Sequence, residues 1–432
     1  MSGRAASGPR PLLGAVLGGG GLAFFVASTV ANGSNFLFHA VMSRLLGPDA
    51  YGALGSLLGI MSVVTFGSVA LQAAVIQAAA APGRGQRAAL GRHTARSVVA
   101  ACFVLVLSAA LSPALDGFLH LRSPVPVVLL GIFVALSLVA VVPQGVLLGR
   151  LSFAVVAAAL VTGAVVRVGA GIALVELGLG LDGALAATAL SGAAILGVLL
   201  WPLRHELGRH GDGLRIRMGP AALAVGAVGG FSALVGVDTF LARHYLPAGV
   251  AGRYAAAATA ARIALFMPGA LALAAFPRLS ATRGRGSEAR RVFVHAVVAV
   301  AVLGAGAAVV MALVPHTVIS VLFGARYQAA AGVLRILAAA AAGLGLVGLL
   351  VYAQVAKGHV RALVAWVGVA GAAALISVFH GSMGALAWTM LAVSAGTLGL
   401  VWWGARPCAA LPSEAVGPPL ATAPETDQLT AV

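Results

Sequence analysis

The sequence predicts an all-α polytopic membrane protein of about twelve transmembrane helices arranged as two pseudo-symmetric six-helix bundles. Three observations carry that expectation. Hydrophobic residues fill 61% of the 432 positions and charged residues only 9%, whereas soluble domains carry about a quarter charged residues; mean hydropathy is +1.04. Apolar runs of about 20 residues, the length that crosses roughly 30 Å of hydrocarbon, recur as far as Trp403 and leave no stretch for a soluble domain. Arginine-rich loops alternate with arginine-poor ones along the chain.

The spans are expected at about 20–46, 50–80, 97–120, 125–148, 152–176 and 180–203, then at about 219–246, 249–278, 292–316, 328–355, 360–380 and 384–404. The first follows Arg4 and Arg10, as a signal peptide would, but its length and the spans behind it favour an uncleaved helix. Even-numbered loops carry the positive charge, including Arg84, Arg87, Arg92 and Arg96, Arg150, Arg204 to Arg217, Arg278 to Arg291, and Lys357 with Arg361. Odd-numbered loops hold little beyond Arg44, Arg122 and Arg326. Loops rich in arginine stay cytoplasmic, so both termini are expected inside a bacterial inner membrane. Residues 1–203 and 219–405 form the two bundles, 204–218 a basic cytoplasmic linker, and 406–432 a Pro-rich polar tail expected to be disordered.

A weak repeat supports the seam at the linker. Asn35 and Tyr51 match Asp238 and Tyr254 at an offset of 203 residues (238−35, 254−51), as do Gly33 and Gly236. Each half begins with a helix, a short turn, a helix and a basic loop. Duplicated six-helix halves are a transporter design, with substrate held between them.

The segment from Asn32 to Gly52 contains Arg44-Leu-Leu-Gly-Pro-Asp-Ala-Tyr-Gly52, and the second half contains Asp238 to Leu246, Gly252-Arg-Tyr254 and Phe276-Pro277. These pieces resemble the first and the seventh and eighth helices of the polysaccharide flippases in the multidrug/oligosaccharidyl-lipid/polysaccharide exporter superfamily. The resemblance implies alternating access of two bundles around a cationic cavity. It also implies a polyprenyl-pyrophosphate-linked oligosaccharide as substrate, carried outward for surface polysaccharide synthesis, with a polysaccharide polymerase and glycosyltransferases as partners. Physically, Gly47 and Pro48 break the helix, Gly52 permits close packing, and Tyr51 suits an interfacial position.

Ionisable residues inside spans are expensive and mark functional sites by default. The candidate cavity cations are Arg262, Arg167, Arg335, Arg44 and Arg243, since a guanidinium stays charged when desolvated and binds phosphate oxygens with a planar fork. Asp238, His39 one turn after Asn35, and Asn35 itself are candidates for handling a coupling proton or sodium ion. Each has a structural alternative: Arg243 reaching headgroups, Arg262 pairing with Asp238, Arg167 capping a helix contact, His39 packing.

Other classes find little support. The charge of +16 is explained by loop arginines facing anionic membrane lipids, without nucleic acid. The single lysine, Lys357, precedes Gly358, so no phosphate-binding loop exists; His205, Glu206 and His210 miss zinc-protease spacing by one residue. Cys102 and Cys408 have no metal or redox spacing. No cofactor and no enzymatic activity are expected. Remaining alternatives are a cation-coupled antiporter for small molecules, which would want free carboxylates in its cavity, a lipid II flippase, and a membrane scaffold without transport.

Overall fold

A computed structural model of the chain describes residues 19–80, 86–206, 218–281 and 286–409. Every regular element is helical among them. The first half comprises α1 (Gly19–Ala80), α2 (Gln86–Leu119), α3 (Val125–Gly149), α4 (Phe153–Leu174) and α5 (Gly180–Leu200). The second comprises α6 (Met218–Tyr245), α7 (Ala248–Ala281), α8 (Gly286–Leu313), the short α9 (Pro315–Phe323), α10 (Ala331–Ala356), α11 (Ala365–Val378) and α12 (Met383–Ala409). Lipid offers backbone groups no partners, so a chain of Ala, Val, Leu and Gly satisfies them within each helix.

Two long runs are bent by glycine. α1 is 62 residues long and breaks at Gly47, whose φ of 73° lies in the left-handed region; Pro48 then starts the second segment with its φ preset and no N–H to satisfy. Helices α4 and α5 are joined by a π-helical turn at Val175–Leu179, with positive φ at Gly178 and Gly180. Among the described residues, eight helical stretches are long and apolar enough to cross a membrane. Phe153–Leu203, at 51 residues, contains both α4 and α5, while α1 and α7 stand outside the eight. This is a multi-pass membrane protein with fewer qualifying stretches than the expected twelve spans.

The predicted boundaries hold closely at α3 and α12 but start eleven residues late at α2, because the amphipathic arginine-bearing stretch before residue 97 is helical too. The linker residues 207–217 and the tail beyond Ala409 lie outside the described residues, and α12 carries the chain four residues (406–409) into the expected tail.

Helix α2 and helix α8 form the periphery, with Val99, Phe103, Val106, Val302 and Val310 exposed as a lipid-facing side chain would be. The main apolar core joins both halves through α1, α6, α7 and α10. A separate small core, with Val75, Val146, Val156 and Leu199, belongs to the first half alone at its arginine-rich end. The halves therefore share a core toward the arginine-poor end and keep their own toward the other.

Candidate functional site

The two halves meet where α1 bends. Gly52 and Gly252 bring α1 and α7 into backbone contact: a Cβ on Gly52 would sit 2.9 Å from the Gly252 nitrogen and Cα, and one on Gly252 would overlap the Pro48 carbonyl oxygen. The expectation for Gly52 is met by this crossing. One turn further, Ser56 donates to the Thr239 carbonyl at 3.0 Å, and Gly59 faces Gly236.

Above the crossing, side chains tie each half to the other. Arg243, 7% exposed, donates from Nε to Leu119 O (2.9 Å), from Nη1 to Asp49 O (3.1 Å) and from Nη2 to His120 O (3.2 Å). Its fork is spent on three backbone carbonyls at the end of α2 and in the α1 bend. Arg44, at the exposed rim, donates to Val321 O at the end of α9, and the Tyr327 hydroxyl donates to Ser43 O at 2.8 Å. His244 stacks on Phe118, with ring centroids 3.9 Å apart.

These ties expose a register that a constant offset hides. His39, Arg44 and Pro48 match Asp238, Arg243 and Pro247 at an offset of 199 (238−39, 243−44, 247−48), while Tyr51 and Tyr254 keep 203. The second half has four more residues between its proline and its tyrosine (254−247 against 51−48), and they lie in the first turns of α7. Hydrogen bonding confirms the pairing: His39 Nδ1 lies 3.1 Å from the Tyr51 hydroxyl, and the Tyr254 hydroxyl donates to Asp238 Oδ2 at 3.0 Å. The partner of Asp238 in the first half is His39, not Asn35. Tyr51 is also fully buried, against the interfacial position expected of it; it packs on Phe323 and Tyr327 and donates to Thr259 at 3.5 Å.

The second polar group of this seam is built on α6 and α7. Asp238 Oδ1 accepts from the Thr239 backbone N–H (2.7 Å) and hydroxyl (3.2 Å). Arg262 lies 3.8 Å from the same oxygen, and its Nη2 donates to Val235 O and to the Thr239 hydroxyl. Asp238 and Arg262 thus neutralise one another inside the protein, where an unpaired charge is costly. Beside them lies a small cavity of about 20 Å³ whose other walls are apolar residues of α6, α7, α10 and α12.

Arg167 on α4 sits in the first half. Its Nη1 donates to Asn35 Oδ1 at 2.9 Å and its guanidinium lies 4.3 Å over the Phe38 ring. Arg335 is exposed on α10 and faces away from Leu337, Ala341 and Leu344, which line the cavity beside Arg262. The structure therefore brings together Asn35, His39 and Arg167 in one group, which Tyr51 links to Thr259 of α7, and Asp238 and Arg262 in another; Arg44 and Arg243 lie above them, and Arg335 stands apart. No cluster with metal-holding potential occurs among the described residues.

A family model described as "Polysaccharide biosynthesis protein" matches residues 41–332, from the α1 bend into α10. The chain belongs to the polysaccharide biosynthesis protein family. Its fold is shared with solved membrane transporters. An inward-facing multidrug resistance MATE transporter superposes with a TM-score of 0.69 at 14% identity over 88% of this chain and 94% of that one. The lipid II flippase MurJ in an inward closed conformation gives 0.69 at 11% identity, covering 89% and 87%. A transporter from Pyrococcus furiosus, described as having a binding pocket of reverse polarity, gives 0.61 at 13% identity over 93% and 99%. Among curated proteins, none matches the sequence.

Proposed function

We propose that this member of the polysaccharide biosynthesis family flips a polyprenyl-pyrophosphate-linked oligosaccharide from the cytoplasmic to the outer leaflet of the inner membrane by alternating access. In this reading the bend of α1 at Gly47 and the pairs α4 with α5 and α6 with α7 complete twelve crossings, and both termini are cytoplasmic. The observation that carries the reading is the placement of the ties between halves. Gly52 against Gly252, Arg243 on Leu119 and His120, Arg44 on Val321 and Tyr327 on Ser43 all lie at the arginine-poor end, which the positive-inside rule puts outside. In this reading the outer side is the closed one and access is from the cytoplasm, where lipid-linked sugars are assembled.

The interior of that seam holds more cation than anion. Asp238 balances Arg262, and no acid pairs with Arg167 among the described residues. An anionic pyrophosphate suits such an interior, whereas an organic cation would want a free carboxylate, and that of Asp238 is occupied by Thr239, Tyr254 and Arg262. Asp238 and His39, hydrogen-bonded to equivalent tyrosines, are the places for a coupling proton or sodium ion.

The test is genetic and biochemical. Deleting the gene in its host should abolish surface polysaccharide and leave the lipid-linked repeat unit on the cytoplasmic leaflet; wild type should restore it, and Arg262→Ala or Asp238→Asn should not. Unchanged polysaccharide with altered sensitivity to organic cations would overturn the reading in favour of an antiporter. Rescue of a strain lacking its lipid II flippase would assign peptidoglycan precursor as the cargo.

A further inference from the structure

Resting on the flippase reading, we infer that the phosphate end of the substrate is held by Arg167 in the first half, and not by Arg262. The difference between the two arginines is what each has left to offer. Arg262 shares its charge with Asp238 and spends Nη2 on Val235 O and Thr239. Arg167 uses Nη1 on Asn35, while Nε and Nη2 are buried and without a partner. Those two nitrogens form one edge of the guanidinium, the edge that grips two phosphate oxygens with parallel N–H bonds. Left empty, three N–H bonds are buried unsatisfied, which a protein tolerates where a ligand completes the site.

A route leads to this edge. Thr29, Asn32, Asn35, His39 and Ser43 recur every three or four residues and form a polar stripe down one face of α1. Burial deepens steadily along it: Thr29 and Asn32 are exposed, Asn35 is half-buried, His39 is 7% exposed and Ser43 fully buried. Exposed polar side chains within a span face water more readily than lipid, so the stripe marks a wet channel that enters from the arginine-rich end and stops at the closed crossing. Arg167 stands beside its middle. The equivalent positions on α6, offset by 199, are Val228, Phe231, Leu234, Asp238 and Ala242, all buried and apolar but for the paired Asp238. Of these two equivalent helix faces, only that of α1 offers a polar approach.

Binding of farnesyl pyrophosphate, a polyprenyl pyrophosphate without sugar, to the full chain in lipid nanodiscs tests the assignment by calorimetry, with farnesol as the phosphate-free control. Loss of a charge-assisted fork should weaken binding by about tenfold or more in Arg167→Gln; Arg167→Lys should recover part of it, and Arg262→Gln should change it by less than about threefold. Because the substitution removes unsatisfied donors, Arg167→Gln should melt at or above the wild-type temperature. Equal losses in both glutamine variants, or loss in Arg262→Gln alone, overturn the inference and leave the flippase reading standing. An Arg167→Gln protein that melts well below wild type also overturns it, since the guanidinium is then a structural clasp. Wild-type protein that ignores farnesyl pyrophosphate sinks the inference together with the anionic-lipid substrate.

Discussion

Gly252→Ala is the sharpest probe of the closed end. The added methyl would overlap the Pro48 carbonyl oxygen and sit 2.5 Å from its carbonyl carbon and 3.0 Å from its Cα, all backbone atoms that cannot swing aside. Restoring ordinary contact requires α1 and α7 to part by on the order of 1 Å, and overpacking of this kind costs about 1–3 kcal/mol. That cost falls on the state in which the crossing exists, so under the flippase reading the balance should move toward forms open at this end by about 5- to 150-fold. A thiol at Ser56, fully buried between the halves, reports the change in a protein with Cys102 and Cys408 replaced by serine. Ser56→Cys should resist a membrane-impermeant maleimide added to intact cells and become reactive when combined with Gly252→Ala. Gly249→Ala serves as control, because its methyl would meet only the Asp49 Oδ1, the end of a side chain that can rotate away. Unchanged protection in the Gly252→Ala protein, with unchanged thermal stability, would refute the claim that this crossing holds the end shut.

Other expectations follow from the same geometry. Arg243→Met strips donors from the carbonyls of Leu119, Asp49 and His120, and at about 1–3 kcal/mol for each buried acceptor left unpaired it should lower thermal stability in detergent clearly more than Arg44→Met, which removes one rim bond. Arg243→Lys should rescue little, since one ammonium cannot span three acceptors. A double-mutant cycle of Tyr254→Phe with Asp238→Asn should give a coupling of about 1 kcal/mol in unfolding experiments, and additivity would deny the 3.0 Å bond a role. The half-buried Arg150–Glu206 pair is bidentate yet screened, so Glu206→Gln should cost less than about 1 kcal/mol by the same measurement.

The helices were largely legible because lipid imposes them: a long apolar run has one way to satisfy its backbone. Gly47 and Pro48 announced the bend of α1, and Gly52 its close approach. The short α9 and the 3₁₀ turns at Ala325–Ala330 and Val360–Val364 were not legible, since their residues continue the apolar pattern of the neighbouring spans. Site assignments suffered from distance along the chain. Nothing near Arg243 in sequence reveals acceptors 124 and 194 residues away, so its charge suggested a ligand where it is committed to carbonyls. The pairing of His39 with Asp238 was hidden by the four extra residues between proline and tyrosine in the second half; aligning the arginine and proline that follow each would have revealed it. Arg262 and Arg167 look alike as intramembrane arginines, and only their neighbours separate a neutralised charge from an open one.

The crossing of Gly52 and Gly252 also sets the mechanics. Contact at one end of two long rods makes a lever with its pivot at the arginine-poor end. Helix α7 runs to Ala281, 29 residues beyond Gly252 (281−252) and about 44 Å at 1.5 Å each, so a tilt of about 10° at Gly252 swings its far end by about 8 Å. Backbone touching backbone leaves no side chains to compress at the pivot, and small rotations there are transmitted whole to the arginine-rich end. A bulky residue would move the pivot inward, shortening the arm and narrowing the opening at that end.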